Sequence, residues 1–310
     1  EEYGGQALPY SLAMSSAEWI SSANHSWGMY TGLSHSCMET LKAHGTAEQK
    51  HQFLPKLVSG HWTGTMCLTE SHCGSDLGLL KTKAEPCTDG SYSITGTKIF
   101  ISAGEHDMSD NIIHIVLARL PDAPAGIKGL SLFIVPKFNV DRQGEVLGTN
   151  TVSCGSIEHK MGIKGSATCV MNFDAAKAQL IGKPHRGINC MFTFMNMARI
   201  ATGLEGLAAT EASYQGALAY AKDRLQFRSM SGIKNPNGPA DSIIEHPDVR
   251  RMLLTQKAFS EGNRALVIYC MKHVDTVLHS QNTEAKYLAE STLSLLTPIV
   301  KAFLTETALE

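Results

Sequence analysis

The chain has 310 residues, of which 43% are hydrophobic and 18% are charged, and its formal net charge is −2. This composition supports a sizeable core in one large or two to three smaller domains, and the near-neutral charge argues against nucleic-acid binding. The sequence contains no apolar run near the roughly 18 to 20 residues of a membrane span and no secretory pattern at its start. Eight cysteines without C-x-x-C spacing indicate reduced thiols, so we expect a soluble, cytoplasmic protein without membrane insertion.

The first part of the chain is predicted to be helical. Apolar residues recur at helical intervals over residues 11–44, and Gly45 provides a common helix stop. Thr46, followed by Gln49 three residues later, forms a capping box that predicts a short second helix. We therefore assign residues 1–60 to part of an N-terminal helical domain.

From His61 onward the pattern becomes that of β-strands. Five short runs rich in β-branched and aromatic residues are separated by Gly, Pro, Asp and Asn turns. These runs are HWTGTMCLTE, SYSITGTKIFIS, NIIHIVLARL, GLSLFIVPKF and TCVMNFDAA. Their spacing predicts a middle β-barrel or sandwich domain over residues 61–184, with a hairpin turn at Thr95 and Gly96.

Long helical patterns occupy the remainder, residues 185–310. The first runs from about Asn189 to Arg224, the second begins at Pro247, and the third contains Pro298, which is expected to kink it. Helices of this length are typical of an antiparallel bundle. The predicted fold class is therefore α+β, with N-terminal helices, a middle β-domain and a C-terminal antiparallel helical bundle.

The stretch MCLTESHCGSD, residues 66–76, passes from a predicted strand into a loop of small and polar residues. It could hold a metal at His72 and Cys73, provide a Ser75 nucleophile, hold a flat cofactor, or be a plain connection. Adjacent residues on a strand point to opposite faces, and the sequence has no H-E-x-x-H or paired-cysteine partner, so we expect no metal site. The elbow G-x-S-x-G that favours a serine nucleophile is also absent.

Together with further motifs, this stretch resembles the flavin-binding segment of the acyl-CoA dehydrogenase family. GTKIFIS matches that family's G-x-K-x-[WF]-[IV]-[TS] signature, and HKMGIKGSATCVMNFDAA resembles its K-x-G-x-[KR]-x-S-x-T strand. ALAYAKDRLQF resembles the Y-x-x-x-R-x-[QT]-F segment. The resemblance covers nearly the whole chain. The segments IFISAGEHD and IIEHPDVRRMLL look most like the branch of the family that includes 3-methylmercaptopropionyl-CoA dehydrogenases.

The resemblance implies FAD as the cofactor. The residues that it places at the flavin are Met66, Leu68, Thr69, Gly74, Ser75, Phe100, Ile101 and Ser102. Thr69 and Ser102 would hydrogen-bond the flavin ring, and Phe100 would cover it. Gly74 would let the backbone approach the pyrophosphate closely. Ordinary β-core packing is the alternative for Phe100. A G-x-G-x-x-G motif is absent, so a Rossmann unit is not expected.

A second cofactor segment comprises Arg224, Gln226 and Phe227. In the family its arginine reaches the FAD pyrophosphate of a neighbouring subunit through a charge-assisted hydrogen bond. The resemblance therefore implies a homodimer or homotetramer, and a plain surface arginine is the alternative. Because Pro247 stands where the family often has glutamine, the contact to the adenine side of FAD is expected to differ.

For the substrate, the resemblance points to Asn196 and Arg199, one helical turn apart, on the helix that floors the acyl-CoA site. Ser75 is expected to contact either the acyl-CoA or an FAD phosphate. A structural salt bridge is the alternative for Arg199, since a buried unpaired arginine is costly. The length of the acyl chain does not follow from the sequence.

The implied activity is FAD-dependent α,β-dehydrogenation of an acyl-CoA to a trans-2-enoyl-CoA, with electrons passed to an electron-transferring flavoprotein. An acyl-CoA oxidase and a non-catalytic DNA-binding flavoprotein of the alkylation-response type are the alternatives. In the family the catalytic glutamate stands at one of two locations, and neither is matched by a glutamate in this sequence. Ala198 occupies one of the two. We expect the base beyond Glu310, in a longer protein of which this chain is an internal, inactive fragment. Glu205 and Glu211 are expected to be exposed helix glutamates.

Overall fold

The computed structural model describes residues 2–310, which form five α-helices and nine β-strands. The helices are α1 (Tyr10–His44), α2 (Ala47–Val58), α3 (Gly187–Asp223), α4 (Pro247–His279) and α5 (Thr283–Thr307). The strands are β1 (Trp62–Cys67), β2 (Lys83–Pro86), β3 (Tyr92–Ser102), β4 (Asn111–Arg119), β5 (Leu130–Pro136), β6 (Phe138–Val140), β7 (Val146–Thr149), β8 (Val152–Ile157) and β9 (Thr168–Ile181). The predicted order of helices, β-domain and helices is therefore confirmed.

Local sequence signals determine several helix ends. The Thr46 hydroxyl accepts a hydrogen bond from the Gln49 backbone N–H at 3.2 Å, and the Gln49 side chain accepts one from the Thr46 N–H at 3.0 Å. The predicted capping box is therefore present at the start of α2. Pro247 lies in the first turn of α4, and Asn282 caps α5 by accepting a hydrogen bond from the Ala285 N–H at 3.1 Å.

Seven of the strands form one mixed sheet, and β6 and β7 form a separate ladder. β1 pairs in parallel with β4, β4 pairs antiparallel with β5, and β9 pairs antiparallel with β3, β5 and β8. β2 and β4 meet only at Lys83 and Arg119. The β-domain is thus a mixed sheet, and over residues 2–310 it does not close into the barrel that the strand spacing suggested.

The predicted hairpin turn at Thr95 and Gly96 is wrong. Both residues lie within β3, where the register against β9 shifts between Ile94 and Gly96. A Cβ atom at Gly96 would lie 2.5 Å from the Thr82 hydroxyl oxygen. Glycine is therefore required at this irregularity for close approach of the neighbouring strand, and it does not mark a turn.

Two apolar clusters lie on the two faces of the sheet. Ile113, Ile115 and Leu117 of β4 pack with apolar side chains of α1, α2 and the first turns of α3. Val116 and Ala118, which alternate with them, pack in a second cluster formed by the strands. Because both faces of β4 are buried, its sequence from Ile112 to Ala118 is apolar apart from the buried His114 and shows no regular polar alternation.

The chain divides into two compact units. One comprises the residues up to Ala7 together with Ser26–Ala198, and it contains the sheet and α2; the other comprises Leu8–His25 and Arg199–Glu310, with α4 and α5. Within α1, Asn24 has non-helical backbone angles. The predicted domain boundaries after residues 60 and 184 stay a prediction. Over residues 2–310, no helix has both the length and the apolar character needed to cross a membrane.

Candidate functional site

The end of β1 and the loop that follows it carry the first group of predicted site residues. β4 is the one described strand that pairs with β1, so the other edge of β1 has no strand ladder. Met66 and Thr69 are half-buried there, and Leu68 is buried. Gly74 and Ser75 are exposed in the loop. The predicted residues therefore lead from the core of the sheet to the protein surface.

Phe100 has the most unusual conformation among the predicted residues of β3. Its side chain is 59% exposed, and its backbone φ is +59°, in the left-handed region that few non-glycine residues adopt. The register of β3 against β9 shifts between Lys98 and Ile101, so a bulge directs Phe100 out of the sheet. The alternative interpretation, that Phe100 packs in the core of the β-domain, is therefore wrong. Ile101 is buried and Ser102 is half-buried beside it.

Two hydrogen bonds join the bulge in β3 to the end of β1. The Ile99 backbone N–H donates to the Thr69 carbonyl oxygen at 2.9 Å. The Lys98 ammonium donates to the Leu68 carbonyl oxygen at 3.0 Å. These contacts bring the two motifs, which are separated by about thirty residues in the sequence, into one site.

Glu70 and Lys98, which are not among the predicted site residues, form a buried ion pair at this junction. Their Oε1 and Nζ atoms are 3.0 Å apart. Burial favours a raised pKa for Glu70, but Lys98 and hydrogen bonds from Thr82 and the Lys81 N–H outweigh it and lower the pKa to about 2. Burial lowers the pKa of Lys98, and the nearby Glu70 carboxylate opposes this decrease. The sequence does indicate that Lys98 is buried. Lys98 lies four residues after the buried Ile94 on β3, and because side chains alternate along a strand, both point to the same inner face.

The residues between Glu70 and Cys73 form a tight turn. The Glu70 N–H donates to the Cys73 carbonyl at 2.9 Å, and the Cys73 N–H donates to the Glu70 carbonyl at 3.0 Å. His72 and Cys73 therefore lie in a turn and not on a strand, so the opposite directions expected of neighbouring strand residues do not apply to them. Cys73 is buried, whereas His72 is exposed and its Nε2 atom lies 3.0 Å from the Leu79 carbonyl oxygen.

The second predicted cofactor segment follows α3 in the helical unit. Arg224, Gln226 and Phe227 are all exposed, and Phe227 has a φ of +58°. The Gln226 N–H donates to the Asp241 carbonyl at 2.9 Å, and the Asp241 N–H donates to the Phe227 carbonyl at 2.8 Å. The buried Asp241 side chain accepts further hydrogen bonds from the Ser229 N–H and neighbouring backbone groups. The segment is thus held by its own loop, and its contact with a cofactor stays a prediction.

The predicted substrate residues lie on α3. Asn196 is exposed and Arg199 is half-buried, one turn further along the helix. Their spacing places them on the same side of the helix. A role for both residues at an acyl-CoA stays a prediction.

Glu205 and Glu211 are both half-buried, so the expectation of exposed glutamates is wrong. A Glu205 carboxylate oxygen lies 3.5 Å from Nε2 of His25. Glu211 accepts hydrogen bonds from the Ser260 hydroxyl and, at 2.9 Å, from Arg264. The hydrogen bond from Ser260, followed by others that include that of Arg264, lowers the pKa of Glu211 to about 2. A carboxylate with so low a pKa is poorly suited to accept a proton near neutral pH.

Comparison with known proteins identifies the class to which this fold and site belong. Residues 65–176 match the acyl-CoA dehydrogenase middle domain, and residues 1–61 match the acyl-CoA dehydrogenase N-terminal domain. The chain belongs to the acyl-CoA dehydrogenase family.

The relatives of this chain include a member of the branch that its motifs indicated. The chain is 46% identical over 309 residues to 3-methylmercaptopropionyl-CoA dehydrogenase of Ruegeria pomeroyi, covering 100% of this chain and 52% of that protein. It is 40% identical over 285 residues to a butyryl-CoA dehydrogenase of Syntrophomonas wolfei, covering 89% of this chain and 46% of that protein. The chain therefore spans about half the length of these curated relatives.

A solved structure has the same fold. An acyl-CoA dehydrogenase of Bacillus anthracis, complexed with FAD, superimposes with a TM-score of 0.79 at 24% sequence identity. The match covers 99% of this chain and 50% of that chain. The arrangement of helices and mixed sheet is therefore that of the family.

Proposed function

We propose that the full-length protein to which this chain belongs catalyses FAD-dependent α,β-dehydrogenation of an acyl-CoA thioester to a trans-2-enoyl-CoA. The observation that carries the proposal is Phe100, an exposed aromatic ring on a left-handed backbone directly after Ile99, whose N–H donates to the Thr69 carbonyl just beyond β1. A strained residue of this kind persists where the surroundings hold it, and such residues cluster at ligand sites. The relatives above carry the names of acyl-CoA dehydrogenases, which supports the same substrate class for this protein.

The residues present fit a planar flavin ring. The edge of β1 at Met66 and the backbone N–H of Leu68 just beyond it would offer hydrogen-bonding groups to the ring, and the Thr69 and Ser102 hydroxyls would offer further hydrogen bonds. Bound FAD would supply the acceptor for the hydride that leaves the β-carbon of the substrate. The Lys98–Glu70 pair would hold β3 against the segment that follows β1, so that these groups are oriented before substrate binds.

Further residues are proposed to hold the ends of the cofactor and the substrate. Gly74 and Ser75 would meet a phosphate of FAD, or Ser75 would contact the acyl-CoA. Arg224, with Gln226 and Phe227, would reach the FAD pyrophosphate of a second subunit, which requires a homodimer or homotetramer. Asn196 and Arg199 would bind the acyl-CoA. We infer that an electron-transferring flavoprotein accepts the electrons and that the protein acts in the cytoplasm.

The proposal is tested by the flavin content of the purified protein. We expect the full-length protein to be yellow with one FAD per subunit, and we expect less bound flavin in Phe100→Ala. The matched control is Tyr287→Ala, which removes an aromatic side chain that is 73% exposed on α5, and it should leave the flavin content unchanged. Colourless protein that cannot be reconstituted with FAD would contradict the proposal.

The acceptor is tested separately from the cofactor. With acyl-CoA present, we expect the full-length protein to reduce a dye that substitutes for the electron-transferring flavoprotein, with little hydrogen peroxide formed. Peroxide in amounts equal to the enoyl-CoA produced would instead identify an oxidase.

A further inference from the structure

We propose that Glu70, His72 and Cys73 form a binding site for a thiophilic divalent cation such as Zn²⁺. Each residue provides one potential ligand atom, and the three atoms lie within 4.8 Å of one another. Over residues 2–310, this is the one group of at least three His, Cys, Asp or Glu side chains that meets this spacing. The site is a property of the turn and does not depend on the flavin proposal.

The backbone of the turn brings the three side chains together. Glu70 and Cys73 are paired by reciprocal backbone hydrogen bonds of 2.9 and 3.0 Å, which fixes the separation of their Cα atoms. His72, at the tip of the turn, folds back so that its Nε2 atom lies 3.6 Å from Oε2 of Glu70. The histidine and carboxylate are thus near each other before any ion is bound.

The distances suit a tetrahedral ion after a small adjustment. Zinc bonds of about 2.0 to 2.3 Å place neighbouring ligand atoms roughly 3.3 to 3.8 Å apart in a tetrahedron. The His72 to Glu70 separation of 3.6 Å already falls in this range. The exposed His72 side chain would give up its hydrogen bond to the Leu79 carbonyl to complete the site, and water would occupy the fourth position.

The chemistry of the donors determines which cations the turn selects. One sulfur, one imidazole nitrogen and one carboxylate oxygen favour Zn²⁺ and similar soft or borderline ions. Mg²⁺ and Ca²⁺ require mostly oxygen ligands in larger number. We therefore expect binding of Zn²⁺, Cd²⁺ or Co²⁺ and no competition from millimolar Mg²⁺.

Lys98 limits the affinity of this site. Its ammonium lies 3.0 Å from Oε1 of Glu70 and would repel a dication held by the same carboxylate. The cation would therefore bind Oε2, which faces His72 and accepts a hydrogen bond from the Lys81 N–H at 2.8 Å. Because Gly74 and Ser75 directly follow Cys73, an ion here would also restrain the exposed part of the loop.

The test is a Co²⁺ titration of the purified protein after treatment with a chelator. A thiolate bound to Co²⁺ gives a charge-transfer absorption band, so we expect this band to saturate at one Co²⁺ per chain and to disappear when Zn²⁺ is added. Cys73→Ser should abolish the band, and His72→Gln should weaken Co²⁺ binding by at least about 10-fold. Cys87→Ser, which changes an exposed thiol outside the turn, should leave the titration unchanged.

Three results would overturn the proposal. The first is the absence of a thiolate band in the unaltered protein, and the second is a band whose intensity and midpoint survive in His72→Gln. Because His72 is exposed, its replacement leaves the buried core intact, and thermal unfolding followed by circular dichroism checks both variants for the native fold. A band lost only in Cys87→Ser would place the ion at that surface thiol and would equally contradict the site at the turn.

Discussion

The Lys98 ammonium and the Glu70 carboxylate lie 3.0 Å apart in the interior of the β-domain, and the side chain of Lys98 is completely buried. Lys98 also donates to the Leu68 carbonyl, so one ammonium ties β3 to both the end of β1 and the loop beyond it. Taking two charges out of water is expensive, and the pair is tolerated because Thr82 and the Lys81 N–H saturate the carboxylate. The pair is therefore best understood as a structural link that positions the candidate site.

Lys98→Met is expected to destabilise the protein strongly, because it leaves the Glu70 carboxylate buried without its counterion. Breaking one side of a buried ion pair typically costs about 3–5 kcal/mol. The double variant Lys98→Met with Glu70→Gln removes both charges and should lose clearly less stability. Unfolding by urea, followed by circular dichroism, measures both free energies. Equal losses in the single and double variants would mean that the pair does not act as a unit.

The contribution of Glu70 to stability should depend on pH. Its pKa of about 2 in the folded protein lies below the ordinary value of 4.5. The stabilisation is therefore fully present above about pH 4.5 and is lost as the pH falls toward 2, because the unfolded chain binds the proton more readily. A shift of this size corresponds to on the order of 3 kcal/mol.

Glu70→Gln provides the measurement for this pH dependence. Its destabilisation relative to the unaltered protein should be largest near neutral pH and should shrink as the pH is lowered from 4.5. Urea unfolding of both proteins at a series of pH values gives the difference directly. A difference that is constant from pH 6 to pH 3 would show that the Glu70 carboxylate is not specifically stabilised in the fold.

Thr69→Val tests the hydroxyl that we place at the flavin. The substitution keeps the β-branched shape and removes only the hydroxyl, and a lost hydrogen bond of about 1 kcal/mol corresponds to roughly a 5-fold effect. We expect slower flavin reduction by acyl-CoA, measured by stopped-flow absorbance, with little change in unfolding. The control is Thr97→Val, whose hydroxyl donates to the Asn172 side chain at 2.9 Å on an exposed part of β3. Reduced stability with unchanged flavin kinetics would argue against the assigned role.

The parts of the fold that could be predicted are those set by local interactions. The capping box at Thr46 and Gln49 and the proline at residue 247 act within one helical turn, so they are visible in the sequence. β7, by contrast, has four exposed residues and no apolar alternation, and its strand exists because it pairs with β6. Its pattern alone could not indicate a strand.

The candidate site shows the same division between local and distant causes. The resemblance to the family pointed to Phe100, but its left-handed backbone results from a register shift against β9, about seventy residues later in the chain. The turn at Glu70 to Cys73, by contrast, is closed by hydrogen bonds between residues three apart, and its small and polar residues indicated a loop in the sequence. Pairing between distant segments therefore decided the conformation of Phe100, but not that of the turn.

Arg224→Ala tests whether the exposed segment after α3 completes a cofactor site in a second subunit. A guanidinium paired with a pyrophosphate makes charge-assisted hydrogen bonds worth about 1.5–3 kcal/mol, so its loss should weaken FAD binding by roughly 10- to 100-fold. The control is Arg251→Ala, an exposed arginine on α4 that pairs with Asp248 one turn earlier at 2.9 Å. FAD release measured by fluorescence, together with the mass in solution by light scattering, reports both cofactor affinity and subunit association. Because the site requires two subunits, FAD affinity of the unaltered protein should fall when the protein is diluted below the dissociation constant of its subunits, and Arg224→Ala should remove that concentration dependence. FAD affinity that Arg224→Ala leaves unchanged would exclude the contact.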